Sequence, residues 1–360
     1  MSESTPEKSP RLGVALIGYG FVGKTMHAPF ITATEGLELV VVASSNSQKV
    51  HNDFPSVQVT DSVDAAITHP DVDLVVIASP NQTHFPLAKR ALEAKKHVVV
   101  DKPFTLNLED ARELINLATQ QQCLLSVFQN RRWDSDFLAM KTYIEAGKIG
   151  KVVHFESHID RFRPKVLDRW REQSQPGSGL WFDIGPHLVD QALQLFGLPE
   201  TVEANISLLR EGAQADDWAH VILNYPNHRV ILHCSMMTAG GHLRFVAHGT
   251  EGSLVKTSPD QQEPQLLAGI LPHSEQWGKD SDETIYYPAD GKKTLLPTPA
   301  GDQCLFYQGI YNALRNGGKN PVSGLEGLAV MAVIDAAFKA SHSGQRQTLA
   351  LSPQEVSQLD

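Results

Sequence analysis

The sequence predicts an α/β protein: an N-terminal doubly wound parallel sheet followed by a region dominated by antiparallel strands. Three observations predict it. Residues Gly13 to Gly23 read GVALIGYGFVG, an apolar run that leads into Gly18, Gly20 and Gly23 at GxGxxG spacing. Through the first third of the chain, short Val-, Ile- and Leu-rich runs alternate with helical stretches. After Asn130, strand-like runs follow one another without intervening helices.

The parallel strands are expected at Val14–Ile17, Leu37–Ala43, Leu74–Ala78, His97–Val100 and Leu124–Phe128. Each is short, largely apolar and rich in Val, Ile and Leu, as expected of parallel strands buried on both faces. Helices are expected between them, at Pro86–Ala94 and Leu108–Gln121 among others. Beyond Asn130 the spacing predicts a helix over Asp136–Ala146, then strands at Val152–Ile159, Val202–Leu209, Ala219–Tyr225, Val230–Met236, Phe245–His248 and Ser253–Thr257. Residues 258–300 are rich in Pro, Gly, Asp and Lys and read as loops. Cys304–Arg315 and Leu325–Ser341 read as closing helices.

Length and composition narrow the class. A chain of 360 residues fits two domains, and 41% hydrophobic residues suffice for large cores. The divisions expected are a disordered tail over 1–10, a dinucleotide-binding domain over 11–130 and a second domain over 131–360. A net charge of −10 argues against nucleic acid or an anionic membrane as the main partner. Cys123, Cys234 and Cys304 are scattered, so they form neither a disulfide framework nor a CxxC metal site, and no metal ligand set is expected. A polar start without an apolar signal segment, and no run long enough to span a membrane, favour the cytoplasm.

Each glycine of the GxGxxG run has a physical reason. The first permits a tight turn, the second lets a pyrophosphate approach the backbone, and the third lets helix and strand pack closely. The helix start then offers free N–H groups to phosphate. Where the second strand ends, NAD-binding units place an acid for the ribose hydroxyls. Here the run is Ser44, Ser45, Asn46, Ser47, Gln48 and Lys49, with no carboxylate to repel a 2′-phosphate. That favours NADP over NAD; a merely solvated polar loop is the alternative.

Two later motifs carry chemistry. Asp101-Lys102-Pro103 follows the fourth expected strand, where ligands bind in such sheets. Lys102 there either reaches the nicotinamide end of a cofactor or is a surface lysine, and Pro103 restricts it to extended backbone. The second motif runs from Gly177 to His187. Pro186 belongs in a helix's first turn, which puts Asp183 at or near the N-cap, with His187 one turn on. The pair is either a cap and an ordinary helix histidine, or a carboxylate orienting an imidazole acid/base. The arginine-rich segment from Asp160 to Glu172 is either a solvated loop or a lid whose Arg161 donates to a polyol. Trp133 either faces a sugar ring or is core.

These features together resemble the glucose–fructose oxidoreductase, inositol dehydrogenase and rhizopine-catabolism (Gfo/Idh/MocA) family over nearly the whole length. The matching residues are GYGFVG, Ala78-Ser79-Pro80-Asn81 with His84, Asp101-Lys102-Pro103, Trp170-Arg171, and the glycines leading to Asp183 and His187. His27-Ala28-Pro29, Asn130 to Asp134, Arg161 to Pro164 and Asp183 to Gln191 are similar to the NADP-dependent scyllo-inositol dehydrogenase branch. The resemblance implies a Rossmann domain joined to a substrate-binding and oligomerisation domain with a large open, mostly antiparallel sheet, assembled as a homodimer or homotetramer. It implies that Gly18, Gly20, Phe21, Val22 and Gly23 cradle the cofactor, with Ser44, Ser45, Asn46 and Lys49 at its adenosine end. Ser79, Pro80, Asn81, His84, Asp101 and Arg131 would line its nicotinamide and ribose side, and Trp170 and Arg171 would reach it from the second domain. Lys102 would sit by the reacting oxygen, Asp183 would bind or orient substrate, and His187 would exchange the proton. Trp133 and Arg161 are expected to contact a polyol or sugar. The family motif has Glu before the lysine where this chain has Asp101, one methylene shorter.

Overall fold

β1 (Leu12–Ile17) is buried along its whole length, because parallel strands flank it on both sides. It leads through the glycine turn into a π-helical turn, Gly23–His27, that continues as α1 (Ala28–Ala33). β2 (Leu37–Ala43), α2 (Ser47–Asp53), β3 (Gln58–Thr60), α3 (Val63–Ile67), β4 (Leu74–Ile77), α4 (His84–Glu93), β5 (His97–Val100), α5 (Leu108–Gln121) and β6 (Leu125–Val127) follow. In this computed structural model, which describes residues 11–240 and 243–359, the six strands are parallel in the order β3-β2-β1-β4-β5-β6. The expected tail over residues 1–10 lies outside the described residues. Chain order reverses between β1 and β4, so a crevice opens beyond their carboxyl ends. β3 escapes sequence reading because it is a three-residue edge strand, Gln-Val-Thr, with no buried position.

The second sheet is built from β7 (Val152–Asp160), reached through α6 (Ser135–Glu145), and, after α7 (Leu180–Phe196), from β8 (Thr201–Ser207), β9 (Trp218–Asn224), β10 (Arg229–Ser235), β11 (Phe245–Gly249) and β12 (Gly252–Lys256). The expected loop region 258–300 instead contains α8 (Gln262–Leu267), β13 (Thr284–Pro288) and β14 (Thr294–Leu296). Intervening Gly, Pro and charged residues hide these short elements in the sequence. The eight strands run in the order β14-β13-β12-β11-β7-β10-β9-β8, and only the β7–β10 pair is parallel. Val230, Leu232 and Cys234 of β10 and Ala219, Val221 and Leu223 of β9 are buried, while Ile231 and His233, and His220 and Ile222, between them are only partly so. α7 packs on β10, β9 and β7, and α10 (Gly324–Ser343) on β8.

The chain closes with α9 (Cys304–Arg315), α10 and α11 (Pro353–Leu359). They do not pack against the second sheet alone, as a simple division at residue 130 expects. Ser126 of β6 donates to Val322 O at 2.7 Å, and Arg112 of α5 pairs with Glu355 of α11 at 2.7 Å. Phe128 packs edge-on against Phe306 and at a tilt against Phe30 and Tyr307, so one aromatic core spans both halves. The two sheets are therefore held against each other rather than linked by a hinge alone.

Candidate active site

The tight turn and the close helix–strand packing argued for the glycines are both present. Gly18 has φ +99°, and a Cβ there would lie 2.7 Å from Ala78 O. A Cβ on Gly23 would overlap the Gly18 carbonyl, so the helix start can approach the strand only as glycine. A Cβ on Gly20 would meet nothing within 4 Å, which leaves its backbone open to the crevice. A cleft of about 670 Å³ begins here, lined by Gly18, Gly20, Phe21 and Val22. It continues along Ser79, Pro80, Asp101 and Lys102 at the ends of β4 and β5, past Arg131, to Asp183, Ile184 and His187 of α7. Arg161, Arg163, Arg169, Trp170 and Arg171 form its outer wall. This volume and donor set fit a dinucleotide with a small polar molecule beside it.

Lys102 and Asp183 meet at the centre. The Lys102 ammonium donates to Asp183 O at 2.8 Å and lies 3.3 Å from Oδ1. Arg171 Nε is 3.5 Å from the same oxygen, and the Arg171 guanidinium rests over the Trp170 ring. Burial would raise the Asp183 pKa, but Lys102, Arg171 and Arg161 outweigh it and hold the carboxyl at about 2. Asp183 is not at the helix cap. α7 begins a turn earlier, at Leu180, where Asp216 Oδ2 accepts from Trp181 N at 2.7 Å. Pro186 therefore lies inside the helix, two turns from its start, and not in the first turn as expected.

His187 is 6% exposed and faces the cleft one turn beyond Asp183. Burial, reinforced by Lys102, Arg131, Arg244 and Arg161, pushes its pKa well below the ordinary imidazole value, so the ring is neutral near pH 7. Nδ1 is buried without a hydrogen-bond partner among the described residues, which leaves Nε2 as the nitrogen available to the cleft. No hydrogen bond joins Asp183 to His187 among the described residues. The expected orientation of the imidazole by Asp183 is thus replaced by an Asp183–Lys102 pair.

Asp101 is buried and turned inward. Its Oδ1 accepts from Lys102 N at 2.8 Å and lies 3.9 Å from His27 Nε2, whose Nδ1 is 2.6 Å from the Tyr307 hydroxyl. Arg131 is held by Asp134 at 2.8 Å and Glu263 at 3.3 Å. Glu263 also lines the cleft; it comes from α8, a segment whose sequence signals only loop. Arg161 lines the cleft beside Asp183, and its guanidinium makes no hydrogen bond or ion pair with a described residue.

Eight expected residues are absent from the cleft wall: Gly23, Ser44, Ser45, Asn46, Lys49, Asn81, His84 and Trp133. His84 is fully buried, with Nδ1 2.7 Å from Pro103 O and Nε2 3.0 Å from Ser79 O, so it braces the two loops from behind. Asn81 donates to Gly177 O at 2.9 Å and ties the β4 loop to the approach to α7. Trp133 packs edge-on against Phe306 as part of the core. At the outer end, Ser44, Ser45 and Asn46 follow β2, and Asn46 caps α2 by accepting from Lys49 N. Lys49 reaches back to donate to Tyr19 O in the glycine turn at 2.9 Å.

Comparison with known proteins places this architecture. The family model described as "Oxidoreductase family, NAD-binding Rossmann fold" matches residues 12–129, and that for "Oxidoreductase family, C-terminal alpha/beta domain" matches residues 141–351; both carry the Gfo/Idh/MocA name. The uncharacterized oxidoreductase YdgJ of Escherichia coli K12 is 48% identical, covering 96% of this chain and all of that protein. The scyllo-inositol 2-dehydrogenase (NADP(+)) IolW of Bacillus subtilis 168 is 32% identical, covering 96% and 97%. A crystal structure of a candidate oxidoreductase from Klebsiella pneumoniae superposes with a TM-score of 0.92 at 57% identity, covering 97% of this chain and 98% of that one.

Proposed function

The chain belongs to the Gfo/Idh/MocA oxidoreductase family, and we propose that it moves a hydride reversibly between NADP(H) and a CH–OH group of a cyclic polyol or sugar, of the inositol and inosose type. The observation that carries this reading is the convergence of Lys102, Asp183 and a neutral His187 on one cleft that begins at the glycine turn. Similarity to IolW supports the substrate class and the cofactor. The carboxylate-free run from Ser44 to Lys49 supports NADP on independent grounds.

When bound, the nicotinamide cofactor supplies or accepts the hydride. The chain supplies binding, orientation and the proton path. The glycine turn and Phe21 and Val22 hold the pyrophosphate end, Ser44, Ser45, Asn46 and Lys49 the adenosine end, and Ser79, Pro80, Asp101, Arg131, Trp170 and Arg171 the remainder. In the oxidative direction His187 accepts the hydroxyl proton at Nε2. Its depressed pKa keeps that lone pair available, and the surrounding cations make the imidazolium short-lived. Lys102 donates to the reacting oxygen as negative charge develops on it. Asp183 keeps the ammonium aimed, and Arg161 donates to a substrate oxygen.

A screen of inositols, inososes and aldoses with NADP(H) and NAD(H), followed at the nicotinamide absorbance band, tests the assignment. Turnover with a cyclic polyol or its ketone, faster with NADP(H), is expected. Tight NADPH binding with no turnover on any of them would contradict it and favour a cofactor-sensing role.

A further inference from the structure

The face of the second sheet turned away from α7 carries a row of histidines and carboxylates that the dehydrogenase reading does not use. Strand alternation puts His154, Glu156, His158 and Asp160 of β7 on this face. The parallel register sets His233 of β10 directly opposite His158. We propose that His158, Asp160 and His233 form a binding site for a divalent first-row transition metal ion, with zinc as the reference case.

Ligand geometry carries the proposal. One ligand atom from each of the three residues falls within 4.8 Å of the others. Asp160 Oδ2 lies 3.8 Å from His158 Nδ1, and Oδ1 lies 3.6 Å from His233 Nε2. These separations approach the edge of about 3.4 Å between ligands of a tetrahedral ion with bonds of about 2.1 Å. Two imidazoles and a carboxylate are a set that suits zinc and leaves a fourth position for water.

The surroundings of the three residues point the same way. His158 Nε2 lies 2.8 Å from Glu156 Oε2, so a carboxylate holds the ring on the side away from Asp160. Metal-bound histidines are held by carboxylates in this manner. Glu156 is anchored in turn by His154, 2.6 Å from Oε1. His233 Nδ1 lies 3.4 Å from His220 Nδ1, while Nε2 is the nitrogen on the Asp160 side. Asp160 is nearly buried, with its side chain 4% exposed, and the next residue is Arg161 of the catalytic cleft. An ion here would pin the end of β7 to β10 and so position the chain entering the cleft.

The test uses the full chain, stripped with a chelator and then titrated with Co²⁺ alone and with Zn²⁺. One equivalent of Co²⁺ should give the intense visible bands of a four-coordinate site, and Zn²⁺ should displace it and raise Tm. Asp160→Asn and His233→Gln, each verified as folded by circular dichroism, should lose the Co²⁺ spectrum and the Zn²⁺ shift in Tm. Glu156→Gln should weaken Zn²⁺ binding by about 10–100-fold. His233→Gln decides alone if Asp160→Asn does not fold. Absence of stoichiometric binding to the wild type, or undiminished binding in His233→Gln, overturns the proposal whatever the dehydrogenase activity proves to be.

Discussion

The ammonium of Lys102 lies 2.8 Å from the backbone oxygen of Asp183 and 3.3 Å from its carboxylate, and this contact joins the end of β5 to the first turns of α7. It fixes the lysine across the seam between the two sheets. The proposed chemistry depends on it, because the helix that carries Asp183 also carries His187.

Replacing either polar group should separate chemistry from binding. Positioned acid/base groups contribute about 10²–10⁴-fold, so His187→Asn and Lys102→Met should each lower kcat by that order. NADPH affinity, read by fluorescence titration, should change only a few-fold. Near-normal turnover in both variants would contradict the assigned roles.

The pH profile of polyol oxidation follows from the environment of His187. Burial and four nearby cations depress its pKa well below the ordinary imidazole value of 6.5, so the base is unprotonated near neutral pH. The acid limb of kcat/KM should therefore lie below 6.5. A limb at or above that value, present in the wild type and shifted in His187→Asn, would contradict the burial argument.

Arg161 should affect substrate rather than cofactor. A charge-assisted hydrogen bond contributes about 1.5–3 kcal/mol, so Arg161→Gln should raise KM for the polyol roughly 10–100-fold. Its Kd for NADPH should hardly move. An equal loss of cofactor affinity would place Arg161 with the nucleotide instead.

Asp216 caps α7 at a cost. Burial raises its pKa from 3.8 to about 6, against the hydrogen bond from Trp181 N. The folded chain thus holds a proton that the unfolded chain has lost between these values. This group's contribution to stability falls as pH rises from about 3.8 to about 6 and stays low above that. Asp216→Asn keeps an acceptor without the charge. It should gain about 1–3 kcal/mol over wild type at pH 7.5 and almost nothing near pH 4, in paired urea titrations. A gain that does not depend on pH would contradict this origin.

Much of the fold was legible because its strands announce themselves: β2, β5, α5 and α9 begin and end where hydrophobic periodicity puts them. Edge elements were not, since β3, β13 and β14 bury few side chains and lack a strong pattern. The start of α7 was misjudged because Pro186 normally marks a first turn, whereas tertiary packing continues the helix on its N-terminal side, with Asp216 at the cap. Local spacing suggested that Asp183 serves His187. The actual partner, Lys102, is remote in sequence, and only folding brings it near. His84 and Asn81 resembled cleft residues for the same reason: they lie next in sequence to Ser79 and Pro80 but point behind the wall. Glu263 and the His158–Asp160–His233 cluster carry no sequence signal, because strand pairing and loop packing alone assemble them.

The central claim is that one cleft performs both hydride and proton transfer, and isotope labelling tests it most directly. Wild type and His187→Asn would be incubated with an inosose and NADPH carrying deuterium on the transferring face of C4, and the polyol analysed by mass spectrometry. The account predicts one deuterium on the new carbinol carbon with the wild type and a rate lower by orders of magnitude with the variant. Deuterium that never reaches the polyol, while NADPH binds tightly, would contradict it.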